Sequence, residues 1–274
     1  GLDEVLSLDI GGTTAKLCLI DKGVAQTSRQ FEIARAERFI KGSGIPVRIP
    51  VIEMIEIGAG GGSIAAVDRL GRLTVGPRSA GSDPGPAAFD RGGNLPTVTD
   101  ADVTLGYIPT ETFAEGRLSI NVDAASAVLV RDIGAALDLD AVGAADGVSR
   151  IVDENMSSAG RIHAVESGKN LESRTMIAFG GNGPLHATRV ARSAGVRRIV
   201  IPANPGVGSA LGFLFAPVSF EIVRSHYSFL KRLDIAPINQ LFSEMAEEAV
   251  AIVRQGAGDQ PVFTHRRAFM RYHG

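Results

Sequence analysis

Leu6–Leu19 constrains the fold more than any other stretch of the chain. Leu6 and Leu8 alternate with Ser7 and Asp9. Beyond Gly11-Gly12, Ala15, Leu17 and Leu19 alternate with Lys16 and Cys18. Two period-two apolar runs joined through a Gly-Gly pair predict a β-hairpin. The glycines allow φ > 0 and leave backbone N–H groups uncovered by side chains. With the hydroxyls of Thr13 and Thr14 beside them, the turn could hold an anion in a backbone nest. Asp9, at the end of the entering strand, would face the same opening and could hold a metal or a water. The same residues also suit a plain tight hairpin whose polar groups satisfy the turn, because short glycine motifs match by chance.

Asp21-Lys22-Gly23 predicts a second turn, and Val24–Ala36 a third strand that closes an antiparallel meander. Gly42–Pro50 is punctuated by glycine and proline and leads into the short apolar run Val51–Ile57. Gly58–Asp102 then shows little periodicity, which is rare inside a compact domain unless the segment has a function. Glycine is the compositional outlier, at 33 of 274 residues against a usual ~7%, and it clusters in such loops. Asp83, Asp100 and Asp102 are candidates here to bind a metal or orient a substrate, with Asp100 the candidate catalytic carboxylate. Each also fits as a plain turn or helix-cap aspartate. Ser63, in Gly-Gly-Gly-Ser-Ile, lacks the second flanking glycine of a nucleophile elbow, which argues against a serine hydrolase.

The pattern turns helical after Asp123. Ala124–Leu137 is alanine-rich, and Asp140 is a fitting N-cap for a long helix from Ala141. Val142, Ala145, Val148, Val152, Met156 and Ala159 recur along it at spacings of three and four. His163 continues that stripe as a packed or capping histidine. Thr175–Phe179 reads as a buried strand, Gly180-Gly181-Asn182-Gly183-Pro184 as a turn, Leu185–Ala194 as a helix closed by Gly195, and 197–201 as a strand. That order is a βαβ unit with parallel strands and a right-handed crossover. Its glycine turn lies at the helix N-terminus, where phosphates commonly bind. His186 opens that helix, either capping or contacting a ligand or simply facing solvent. Asn204–Ser209 reads as a loop capping a helix over Ser209–Leu214. Ser219–Phe229 reads as extended, and Asp234–Val253 as an amphipathic helix with Ile238, Leu241, Met245, Ala249 and Ile252 on one face.

A net charge of −2 with no basic block argues against nucleic acid and anionic membranes as partners. The single cysteine excludes an internal disulfide framework and suits a reducing cytoplasm. No apolar run approaches the ~20 residues of a membrane span. The chain begins Gly-Leu and stops at Met270–Gly274 in what reads as the start of a strand, so a fragment is expected.

Taken together, these segments resemble the hydantoinase A/5-oxoprolinase family, which includes the matching subunits of acetone and acetophenone carboxylases. The segments are Asp9-Ile-Gly-Gly-Thr-Thr14, Gly58-Ala-Gly-Gly-Gly-Ser-Ile64, Val75-Gly-Pro-Arg-Ser-Ala-Gly81 and Asp83-Pro-Gly-Pro86. Pro96-Thr-Val-Thr-Asp-Ala101, Ala178-Phe-Gly-Gly-Asn-Gly-Pro-Leu-His-Ala187 and Pro205-Gly-Val-Gly-Ser-Ala-Leu-Gly212 follow in the family's order. The resemblance implies an α/β fold. It is a ribonuclease-H-like lobe of the actin/hexokinase/Hsp70 superfamily, a mixed sheet with helices plus a long glycine-rich loop insertion over 42–122. It implies a domain over 1–255, then a linker and the start of a truncated C-terminal domain over 256–274.

In that superfamily ATP lies between two lobes, each giving a glycine hairpin to the phosphates. Gly11, Gly12, Thr13 and Thr14 would then be the second phosphate hairpin. Gly180, Gly181, Asn182 and Gly183 would match the adenosine-side turn, and Asp9 would hold Mg²⁺ or orient the attacking group. Lys16 stands where many members carry a carboxylate, so it either faces phosphate or is solvated. Asn182 replaces a common alanine, and Ala88-Phe89 replaces a Cys-Tyr pair, which excludes a thiol there. The implied chemistry is ATP-driven phosphorylation of an amide or enol oxygen. An ATP-dependent cyclic-amide hydrolase subunit is the leading expectation. A ketone carboxylase subunit and a non-catalytic nucleotide-binding switch lobe are the alternatives. A hydantoinase B-type partner in a hetero-oligomer is expected, with the chain inactive alone.

Overall fold

The computed structural model describes residues 1–28, 31–33, 44–47 and 51–272. They form two compact units, Gly1–Leu211 and Gly212–Gly274. The expected domain boundary at 255/256 lies inside the second.

In the first unit, β1 (Glu4–Ile10) and β2 (Ala15–Asp21) form the predicted antiparallel hairpin, with Leu8 opposite Leu17 and Asp9 opposite Lys16. The alternation sorts the faces as a half-buried sheet requires: Leu6, Leu8, Ile10, Ala15, Leu17 and Leu19 are all buried on one side. The expected third strand is much shorter. Only β3 (Val24–Ala25) pairs with β2, and Thr27–Ser28 and Phe31–Ile33 pair instead with Val51–Ile52 and Ile45–Val47. Residues 29–30 and 34–36 of that stretch lie outside the described residues. The rest of the β2 edge is taken by β4 (Met54–Ile57), antiparallel, with Ile57 opposite Ala15 and Glu56 opposite Lys16.

The stretch from Gly58 to Asp102 holds more order than its composition predicts. β5 (Ser63–Val67) and β6 (Leu73–Ser79) form a hairpin, and α1 (Val98–Thr104) follows. α2 (Val122–Leu129) starts at Asn121, whose side chain accepts the Ala124 N–H at 2.9 Å, and continues through a π turn at Val130–Gly134. α3 (Ala141–Glu166) is capped as predicted, the Gly143 N–H donating to Asp140 Oδ1 at 2.7 Å. Its stripe of Ala145, Val148, Val152, Met156 and Ala159 is fully buried, while Val142 at the first turn is exposed. Small residues let it approach the sheet closely: a Cβ at Gly160 would stand 3.1 Å from Leu17 Cδ2.

β7 (Thr175–Phe179), α4 (Gly183–Ala194) and β8 (Arg198–Val200) form the predicted βαβ unit, with β7 parallel to β1 and β8 parallel to β7. Antiparallel strands on one side of β1 and parallel strands on the other make the mixed α/β sheet expected of an actin-like lobe. α5 (Gly208–Phe215) follows a short turn at Pro205–Val207.

In the second unit, Ser219–Phe229 joins no ladder among the described residues. α6 (Ile235–Ala257) is capped by Asp234 and runs through Gly256. No helix among the described residues is long and apolar enough to cross a membrane.

Met156 lies under the sheet at 0% exposure. Met156→Ala removes that packing and leaves a cavity, so chemical denaturation should show a loss of about 2–5 kcal/mol.

Candidate functional site

The four-residue tip of the β1–β2 hairpin is held by its carbonyls. Gly11 O accepts the Gly61 N–H at 3.1 Å and Asn182 Nδ2–H at 2.9 Å, and Gly12 O accepts the Gly62 N–H at 2.6 Å. Ile10 O accepts the Asn182 N–H at 3.0 Å, and within the tip Gly11 donates to Thr14 O at 3.0 Å. With the carbonyls turned back into the protein, the N–H groups of Gly12, Thr13 and Thr14 donate to no partner among the described residues. Among the described residues the Gly181 N–H is equally unspent. Successive free N–H donors on one side of a turn are what an anion nest requires.

The glycines here divide into two kinds. Behind the tip they are tightly packed: a Cβ at Gly60 would stand 2.6 Å from the backbone oxygen of Gly11, and one at Gly61 would displace the Asn182 side chain, whose Nδ2 would be 2.5 Å away. Gly180 combines φ +86° with a Cβ position 2.5 Å from Asp9 Oδ1. Gly12, Gly181 and Gly206 are different, because none has positive φ and none has an atom within 4 Å of its Cβ position. The chain's own packing would admit side chains at these three. Bare backbone at such points suits a ligand that comes close to the main chain.

The Gly180 turn reaches the same place. Gly180 N–H donates to Pro205 O at 2.8 Å, which brings the 204–209 loop alongside. Asp9 is half-buried where these segments meet, and Ser209 Oγ–H donates to its Oδ2 at 2.7 Å. Lys16 is paired with Asp9 in the ladder and so shares its face of the sheet. Its ammonium lies 3.9 Å from Glu56, with both side chains about half exposed. Among the described residues, no group of three or more His, Cys, Asp or Glu side chains converges as a metal cage. Asp9, Gly11–Thr14 and Gly180–Gly183 are therefore brought together. Asp100 is engaged elsewhere: it is fully buried and accepts from Ala88 N at 2.7 Å, Thr97 N at 2.9 Å and Thr97 Oγ1 at 2.8 Å. Burial raises its pKa and these donors oppose the rise. With Thr97 it forms the capping box of α1, so its carboxylate fastens a loop instead of facing the opening.

A family model described as hydantoinase/oxoprolinase matches residues 1–222. The chain belongs to the hydantoinase/oxoprolinase family. The acetophenone carboxylase gamma subunit of Aromatoleum aromaticum is 39% identical over 75% of this chain and 27% of its own length. The caprolactamase subunit alpha of Pseudomonas jessenii is 30% identical over 100% of this chain and 39% of its own. The crystal structure of that ATP-dependent caprolactamase superposes with a TM-score of 0.73 at 29% identity, over 94% of this chain and 36% of that one. A nucleotide-free structure of acetone carboxylase superposes with a TM-score of 0.78 at 22% identity, over 95% of this chain and 37% of that one, and speaks for the fold alone. The chain thus spans well under half the length of these relatives.

This hydantoinase/oxoprolinase lobe also holds a buried charge cluster, most of it unforeseen from sequence. His186 does not face solvent; it is 0% exposed. Its Nδ1 lies 2.7 Å from Asp153 Oδ1 and its Nε2 lies 3.2 Å from Asp102 Oδ2. Arg189 pairs with Asp153, bonds Ser149 Oγ at 2.9 Å and lies over the Tyr107 ring at 4.8 Å. Burial pushes the imidazole's pKa down, but the two carboxylates outweigh it and hold the value at about 9. Ser209 was missed as well, since nothing in its local sequence ties it to Asp9. For His186 the period of α4 was the available signal: it lies on the same face as Val190, which is fully buried.

A histidine whose pKa rises on folding stabilises the fold while protonated. That stabilisation should be complete below pH ~6.5 and lost as pH climbs through about 9. Denaturant titrations from pH 6 to 10 should show a decline on the order of 3 kcal/mol, absent in His186→Gln.

Proposed function

We propose that the chain is the nucleotide-binding lobe of an ATP-dependent amide hydrolase that opens cyclic amides. The observation that carries this reading is the row of unspent N–H groups at Gly12–Thr14, set beside Asp9 on a tip that the Gly180 turn holds through Asn182. Support comes from a related protein named an ATP-dependent caprolactamase. ATP fits these residues. The tip N–H groups and the Thr13 and Thr14 hydroxyls would take phosphate oxygens, and the N-terminus of α4 favours negative charge nearby. Asp9, steadied by Ser209, would hold Mg²⁺ through water or orient the attacking group. A single carboxylate suffices, because Mg²⁺ usually keeps several waters and shares the phosphates. Bound there, ATP would supply a phosphoryl group to a carbonyl oxygen and make ring opening feasible. The chain's own part is positioning and charge stabilisation, which are what phosphoryl transfer needs from a protein.

A second reading, a subunit of an ATP-dependent ketone carboxylase, is supported by the 39% identity to an acetophenone carboxylase subunit. Both readings place the chain in a hetero-oligomer, with a hydantoinase B-type subunit or domain as partner. Phosphate release by the assembled protein separates them. The hydrolase reading expects release dependent on lactams or hydantoins, and the carboxylase reading expects dependence on a ketone plus bicarbonate. Release that depends on neither would overturn both and leave a nucleotide switch.

Asp9→Asn keeps the side chain's shape and removes its charge. In the assembled protein turnover should fall by about 10²-fold or more, roughly 2.7 kcal/mol, at a nearly unchanged melting temperature. Thr13→Val should weaken ATP binding by about 1 kcal/mol, measured by calorimetric titration. Unchanged rates and affinities in both variants would remove the hairpin from the site.

A further inference from the structure

The Gly11 carbonyl is gripped from two sides. On one side, Asn182 Nδ2–H donates to it, and Asn182 is the residue that precedes α4. On the other side, the Gly61 N–H donates to it, while Gly61 O accepts the Thr99 N–H at 2.7 Å from the first turn of α1. About one turn further along each helix, His186 of α4 meets Asp102 of α1, both at 0% exposure. These links close a ring. It runs from the hairpin tip through Asn182 and α4 to His186, across to Asp102, and back through α1, Thr99 and Gly61 to the tip.

The weakest link is electrostatic. Neither oxygen of Asp102 nor His186 Nε2 makes a hydrogen bond of regular geometry among the described residues; the imidazole is the nearest charged neighbour of Asp102, and Arg189 acts on it at longer range. Asp153 of α3 is better served, because it also has the guanidinium of Arg189. Two carboxylates and one guanidinium balance when the imidazole carries both protons. A neutral imidazole has one N–H and must present a lone pair to one of the carboxylates. Asp153 keeps its direct pair with Arg189 in either case, so Asp102, which has no such pair, is the partner that loses more support. An uncompensated buried carboxylate is costly enough to move the helix that carries it.

We propose that His186 is a positioning residue whose imidazolium ties α1 to α4 through Asp102 and thereby holds the N–H groups of Gly12–Thr14 at the spacing that binds nucleotide phosphate. Its consequence for affinity rests on the ATP reading; the ring itself does not. Loss of the proton as pH rises through about 9 releases Asp102, loosens α1 and weakens binding. The charged groups facing the imidazole are Asp102 from α1, Asp153 from α3 and Arg189 from α4 itself.

The test combines two readouts on the protein and two variants. ATP affinity is titrated from pH 7 to 10, and amide hydrogen exchange is measured at pH 7 without nucleotide. His186→Gln should raise the Kd for ATP about tenfold. It should speed exchange at the Gly61 and Asn182 amides about tenfold more than at the β2 amides, which follow global stability. Asp102→Asn keeps the shape and an acceptor for Nε2–H but removes a charge, so the alkaline fall in affinity should move to lower pH. Exchange at Gly61 and Asn182 that rises no more than at the β2 amides in folded His186→Gln would overturn the proposal, as would an unmoved alkaline midpoint in Asp102→Asn. If His186→Gln does not fold, exchange in Asp102→Asn at pH 9 decides, where faster Gly61 and Asn182 amides support the ring and unchanged ones refute it. If the wild type binds no ATP at any pH, the ATP reading fails, and the exchange result still decides whether the ring exists.

Discussion

The site depends on how the backbone carbonyls of one tight turn are satisfied. A hairpin tip usually spends its polar groups on water or on itself. Here Gly11 O and Gly12 O are bonded by the amides of Gly61 and Gly62, with Asn182 adding a second donor to Gly11. Once the tip's carbonyls have found donors on one side, its peptide planes are fixed. The N–H groups then point to the other side. The polarity of the opening is thus set by bonds made behind it.

That arrangement demands glycine where chain meets chain. Gly60 packs against the main chain of the tip at distances no Cβ could occupy, and a Cβ at Gly61 would displace the Asn182 and Thr99 side chains. Gly180 is crowded by Ile10 O and Asp9 while also using positive φ. The same composition that makes Gly58–Gly62 look like a loop is what lets one backbone lie on another. Much of the glycine excess therefore measures close backbone contact, and little of it is linker.

Short-range features were legible in the sequence. The β1–β2 alternation, the Asp140 cap, the stripe of α3 and the βαβ unit all follow from spacing between near neighbours in sequence, and all appear in the fold. The convergence of the hairpin with the Gly180 turn was legible only through the family resemblance, because no local signal links residues 11 and 182. The β5–β6 hairpin was hidden by Gly76-Pro77, which break the period of β6, and by the glycine-rich run that leads into β5. Asp100 stood out because it sits in an unusual loop, yet the same motif is a capping box, and the cap is what the geometry shows. The pairing of His186 with Asp102 could not be read at all. Its partners are on separate helices, and a buried ion pair leaves no periodicity.

The bond between Ser209 and Asp9 spans 200 positions of sequence, and the one between Asn182 and Gly11 spans 171. Contacts of such separation form late, since the chain between them must first be organised before their closure is rewarded. The hairpin can fold by itself within microseconds, but its tip acquires a defined shape only after α4 and the 204–209 loop have docked. A nascent chain released before Ser209 has emerged would carry every strand of the sheet and still leave Asp9 without its hydroxyl donor. Completion of the opening is therefore coupled to completion of the lobe.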